Sequence, residues 1–105
     1  MDNGEQMAIM ECPLSYCLSN ENNQEIAEEE AHARLDEETL SILPKFGEVL
    51  FISYRDIFEV SEKDYRIHLM LSSGETLTLS NLGYKYEDFL RVLSKLRNEL
   101  LLKDM

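Results

Sequence analysis

The stretch YKYEDFLRVLSKLRNELLLKDM, Tyr84–Met105, carries the one sustained helical period in the chain. Stepping it at 100° per residue gathers Tyr86, Phe89, Leu90, Leu93, Leu96 and Leu100 into one broad arc, with Val92 and Leu101 at its edges. That stripe predicts a helix over 84–104 lying on a core. Glu87 and Asp88 fall in the first turn and Arg91, Lys95, Arg97 and Lys103 follow, an order that suits the helix dipole. Glu87 and Arg91 are also spaced i,i+4 in the favourable direction. Gly83 marks the break ahead of the helix. Arg97 falls inside the arc and Leu102 nearly opposite it. Either Arg97 snorkels past the helix end and Leu102 is a lone exposed leucine, or the Leu100–Leu102 run meets something outside this chain. The second reading is adopted, because no Gly or Asn closes the helix. It implies either a longer protein or an oligomer contact.

Working outward, everything ahead of the helix reads as short strands that need a cover. Residues 1–7 read as disordered. Residues 8–18, AIMECPLSYCL, suit a strand, and Pro13 makes it an edge strand. Residues 19–30, SNENNQEIAEEE, hold five glutamates and no base, a solvated acidic loop, with a short helix over 24–31 as the alternative. Alternation of Ala31, Ala33 and Leu35 with His32 and Arg34 gives a strand. Asp36-Glu37-Glu38 turns it back into Thr39–Leu43, and Pro44–Gly47 turns again. EVLFISY, 48–54, is apolar on both parities and predicts a central strand covered on both faces, or partly so. Arg55-Asp56 bends the chain, 57–60 continues, and 61–64 turns. In YRIHLML, 65–71, Tyr65, Ile67, Leu69 and Leu71 share the inner face. Ser72-Ser73-Gly74 closes a hairpin onto Glu75–Leu79, with Leu77 and Leu79 inward. No helix separates the strands, so no parallel sheet is implied. The fold class is mainly β (α+β): an antiparallel barrel or curled sheet of about seven strands capped by one C-terminal helix, in a single domain.

Composition narrows the function. Net charge is −11 over 105 residues. Residues 1–47 hold eleven acids and two bases, so the acidity belongs to the front of the chain. Such a balance disfavours nucleic acid and anionic membrane surfaces. There is no apolar run long enough to span a bilayer, and MDNGEQ at the start lacks the pattern of a secretory leader. Cys12 and Cys17 on one regular strand would lie roughly 16 Å apart on opposite faces, too far for a disulfide. Free thiols fit a reducing cytoplasm.

The chemistry-bearing residues do not form a recognisable constellation. Cys12, Cys17, His32 and His68 match zinc in number, but C-x4-C is not a ligand pair of the usual spacing. NENNQE near 20–25 lacks the alternating ligands and central Gly of a calcium loop. Ser53, Ser72 and Ser73 lack a nucleophile-elbow context, and neither cysteine has a basic neighbour. The four glycines form no phosphate loop. The expectation is a non-enzyme without cofactor or metal. Tyr54, Phe58, Tyr65, Tyr84 and Tyr86 read either as core and strand-pair residues or as a peptide groove between a sheet edge and the helix.

The meander of hairpins, the bent strand EVLFISYRDIFEV, the hairpin DYRIHLMLSSGETLTLS and the closing helix YEDFLRVLSKL resemble a pleckstrin-homology-like domain of the bacterial PH or GRAM kind. The resemblance spans Ala31 to Met105. It implies a non-catalytic scaffold that binds lipids, peptides or proteins. Phosphoinositide-binding members use Lys and Arg in the loop joining the first two strands. The corresponding loop here, 19–30 or 36–38, is acidic, and the family's helix tryptophan is missing. The expected function is a cytoplasmic interaction or assembly module of a larger bacterial protein. It would bind a protein or peptide partner, or a second copy, through Arg97, Leu101, Leu102, Tyr84 and Tyr86. A lipid-binding domain of the same fold is the alternative, and an acidic nucleic-acid mimic the third reading.

Overall fold

The computed structural model describes residues 8–20 and 28–104. The expected disorder at 1–7 and most of the acidic loop at 19–30 lie outside them. Seven strands form one antiparallel sheet: β1 (Met10–Ser19), β2 (Glu29–Leu35), β3 (Thr39–Pro44), β4 (Leu50–Ser53), β5 (Ile57–Lys63), β6 (Arg66–Leu71) and β7 (Thr76–Ser80). Helix α1 (Tyr86–Lys103) follows. The order across the sheet is β4-β3-β2-β1-β7-β6-β5, so β4 and β5 are its two edges and it does not close. The barrel of the sequence reading is therefore the curled-sheet form of it.

β1 is the hinge of the sheet. Its first part, Met10–Tyr16, pairs with β2, and its second part, Ser15–Ser19, pairs with β7. Two half-sheets thus share one long strand, and their apolar faces turn toward each other. Cys12, Ala33 and Ile42 line up across β1, β2 and β3 on that inner face, as do Leu69 and Leu77 across β6 and β7, all fully buried.

α1 seals the space between the half-sheets. Phe89 and Leu93 are fully buried and Leu100 nearly so, while Tyr86, Leu90, Val92 and Leu96 pack partly against the same core. Burying each of the first three is worth about 2 kcal/mol. The helix start is tied to both half-sheets: Lys85 Nζ donates to the Glu11 carbonyl at 3.3 Å and the Tyr86 hydroxyl to the Arg66 carbonyl at 3.4 Å. Its far end meets the 3-10 turn Tyr54–Asp56 that links β4 to β5. There the Arg55 guanidinium grips the Asp104 carboxylate through Nε at 2.7 Å and Nη2 at 3.1 Å, and Glu38 through Nη1 at 2.9 Å. Asp104 caps the helix, where a negative charge opposes the dipole. Arg55 offsets that charge and holds the carboxyl below its usual range.

Five expectations are corrected. β1 is not an edge strand of the sheet. Pro13 is tolerated because it precedes the residues that pair with β7, so its half of β1 has a neighbour on one side only. β4 is not a doubly covered central strand but a four-residue edge, with Ile52 buried and Phe51 73% exposed. The turn at 61–64 lies instead at Asp64-Tyr65, and β5 runs on to Lys63 opposite Arg66. Both turn residues have positive φ, 54° and 59°, the geometry of a two-residue type I′ hairpin. Tyr65 is consequently a turn residue, 81% exposed, and does not share the inner face of β6. Glu29 and Glu30 are strand, neither loop nor the short helix, and Ala31 is strand as expected. A 3-10 turn, Gly83–Lys85, precedes α1, and Gly83 at φ +61° supplies the left-handed turn from β7 into the helix.

The 72–74 hairpin forms as expected. Leu71 N–H donates to the Glu75 carbonyl at 2.8 Å, and Gly74 takes φ +93°.

Candidate functional site

The five residues singled out in the sequence fall into two groups at opposite ends of α1. Tyr86 and Leu102 are separated by about 24 Å of helix. At the C-terminal end Arg97 is engaged inside the chain: its Nε donates to the Ile57 carbonyl at 3.0 Å, which ties α1 to the first residue of β5. Its place within the apolar arc follows, because the arc faces the sheet edge that offers that carbonyl. Leu101 is 36% and Leu102 68% exposed on the outer side of the last turns.

At the other end the surface is shaped. β7 leaves β1 at the Ser15–Ser80 pair, and a hollow of about 670 Å³ opens where it leaves. Pro13 and Leu14 of β1, Ala31 of β2, Leu43 of β3 and Leu82 supply its apolar lining. Tyr84, 92% exposed, stands at the rim. Its polar groups are of mixed sign: Glu30, His32 and Lys45, with Ser15 and Asn81. His32 Nε2 lies 2.8 Å from Glu11 Oε1. The loop is held by Asn81, which has φ +58° and donates from Nδ2 to Ser15 Oγ at 3.0 Å.

A second, smaller hollow of about 520 Å³ shares Asn81, Leu82 and Gly83 with the first and reaches Tyr65, Arg66 and Tyr86. Tyr65 and Tyr86 stack edge to face, ring centroids 5.6 Å apart. Of the five aromatics that the groove reading would gather, Tyr65 and Tyr86 are brought together, with Tyr84 two residues away from Tyr86. Tyr54 is buried at the far end of the helix, and Phe58 is exposed on β5.

The sulfur and imidazole groups are dispersed. Cys12 faces the core, and burial raises its thiol pKa. Cys17 sits opposite Thr78 on the other face, and neither cysteine forms a disulfide. His68 Nδ1 lies 3.1 Å from Thr78 Oγ1. Among the described residues no three His, Cys, Asp or Glu side chains converge as a metal site. Two of the three acids of the 28–30 run lie near partners: Glu28 is 3.7 Å from Arg66 Nη2, and Glu29 accepts from the Tyr16 hydroxyl at 3.0 Å. No described helix is long and apolar enough to cross a membrane. Pro13, Ala31 and Leu43 were not among the predicted contacts, since ordinary strand residues carry no signal of standing beside a departing strand.

No protein-family model matches the chain, and no curated protein matches it either. Among solved structures it is similar to the C-terminal domain of an unknown protein from Leishmania infantum, with a TM-score of 0.63 and 13% identity. The likeness covers 86% of this chain and 84% of that one. At that identity the shared property is the fold: a seven-stranded antiparallel sheet with one C-terminal helix.

Proposed function

We propose that this chain is a non-catalytic, pleckstrin-homology-like interaction module that binds an extended segment of a protein partner in the hollow beside Tyr84. The observation that carries the reading is the make-up of that hollow. Apolar side chains from three strands and the β7–α1 loop surround an open space, and an almost fully exposed tyrosine stands over it. A cleft of this kind takes apolar side chains of an extended peptide, and tyrosine contributes area at small entropic cost. The strand order, with a helix closing the curled sheet, supports the fold family proposed. The mixed charges at the rim favour a peptide over an anionic headgroup, because Lys45 shares the surface with Glu30 and Glu11.

The test is selection of peptides from a random display library against the folded domain, followed by amide chemical-shift mapping. Selected peptides are expected to perturb His32, Leu43 and Tyr84, and Tyr84→Ala should weaken binding about tenfold or more, an ordinary value for an interface aromatic. Perturbations confined to another face, or unchanged binding by Tyr84→Ala, would contradict the reading. Anionic vesicles should fail to co-sediment the domain; capture by them would favour the lipid-binding alternative.

A further inference from the structure

The sheet does not close, and the seam leaves a window onto the core. Between β4 of one half-sheet and the β6–β7 hairpin of the other lies a hollow of about 430 Å³. Leu50 and Ile52 of β4, Leu71 of β6 and Leu18 of β1 give it an apolar lining. No residue of α1 takes part, so the helix does not cover this mouth. Ile52 and Leu71, at 8% each, are the most exposed of the described buried apolar residues. The apolar interior therefore comes nearest to solvent here.

The polar groups at this mouth are of one sign. Asp56 and Glu75 belong to it, and no Lys, Arg or His does. The rim is held in place by the chain itself. Ser72 N–H donates to the Asp56 carbonyl at 2.8 Å, and Ser73 Oγ donates to Glu75 Oε1 at 3.1 Å. Among the described residues no base pairs with either carboxylate. Arg55, next to Asp56 in the chain, is taken up by Asp104 and Glu38. Two carboxylates are too few to hold a metal ion without further ligands. Phe51 lines the same opening, and an aromatic face attracts an organic cation. Charge and surface type thus select together: an apolar body is favoured within, and a positive charge at the entrance.

We infer that this seam binds a small organic cation, an alkyl or aryl ammonium. Its apolar body enters among Leu18, Leu50 and Leu71, and its charged head stays at the Asp56 and Glu75 rim. The volume lies within the range of small-molecule clefts. An anionic amphiphile of the same length meets two like charges at the entrance and is rejected. This site is separate from the hollow beside Tyr84, so either reading can fail without the other.

Methyl and amide chemical-shift titration of the full chain with octylammonium, octanol and octanoate, each to about 2 mM, tests the assignment. Octylammonium should produce saturable shifts at Leu18, Ile52 and Leu71, with a Kd of about 0.1–1 mM for so small a ligand. Octanoate should bind about tenfold more weakly or not at all. Asp56→Asn and Glu75→Gln, isosteric changes at the rim, should each weaken octylammonium about threefold, and together about tenfold. Octanol should bind wild type and variants alike, which also shows that the variants keep the hollow intact. Absence of saturable shifts with octylammonium overturns the inference. So does octanoate binding as tightly as octylammonium, or a double variant with unchanged octylammonium affinity. Shifts confined to Leu43 and Leu82 also contradict it, since they place the amine in the hollow beside Tyr84.

Discussion

Tyr54 shows how one side chain ties the β4–β5 turn to the β2–β3 turn. It is fully buried at the turn between β4 and β5, and its hydroxyl donates to the Asp36 carbonyl at 2.6 Å. Burial, with the nearby Asp36 charge, raises its pKa above the ordinary 10. The folded state therefore holds the phenolic proton more tightly than the unfolded chain. The stability this confers is complete below pH 10 and is lost as pH rises above it. Thermal melts of the wild type should fall progressively above pH 10, and Tyr54→Phe should flatten that fall. The same variant should lose about 1 kcal/mol at neutral pH, since the Asp36 carbonyl is left without its donor. Tyr65 is the residue the sequence most misled. It stands in phase with Ile67, Leu69 and Leu71, yet it occupies a left-handed turn position that costs an aromatic residue about 1–2 kcal/mol. Its edge-to-face contact with Tyr86 returns part of that. Periodicity cannot register a turn whose conformation is stabilised by a ring more than 20 positions away.

α1 was the most legible element, because an amphipathic stripe reports directly on burial. Phe89, Leu93 and Leu100 lie in the core as the arc required, and Arg91 pairs with Asp88 at 3.2 Å, one position from the Glu87 suggested by spacing. Leu93→Ala should cost about 3 kcal/mol by chemical denaturation, from the lost transfer energy and the cavity left behind. Leu102→Ala should lie within about 0.5 kcal/mol of wild type. Equal effects would mean that the helix does not present this face to the sheet. Strands were legible where one face is buried and less so at the edges. β4 read as doubly covered because Val49 and Phe51 are apolar on the open side. An apolar outer face can mean a neighbouring layer of the same chain or a partner, and composition does not distinguish the two. β1 read as an edge because a proline removes a donor, but a long strand shared by two half-sheets has an unpaired flank in the middle of the order.

At the scale of the molecule, curl and closure follow from seven half-buried strands with no second layer of their own. The alternation of β2, β3, β6 and β7 announced one apolar face per strand, and a single helix was available to cover it. The location of the hollow was not legible. It depends on where β7 parts from β1, and on Asn81 and Gly83 turning the chain there, features of register that no local pattern encodes. What the whole account rests on is that α1 belongs to the same cooperative unit as the sheet. Native-state hydrogen exchange tests this most directly. Amides of α1 from Phe89 to Leu100 should exchange with the same free energy, and the same denaturant dependence, as those of β1 and β7. Helix amides that exchange by a separate low-energy opening, while the sheet stays protected, would show that the helix rests on the sheet without closing it.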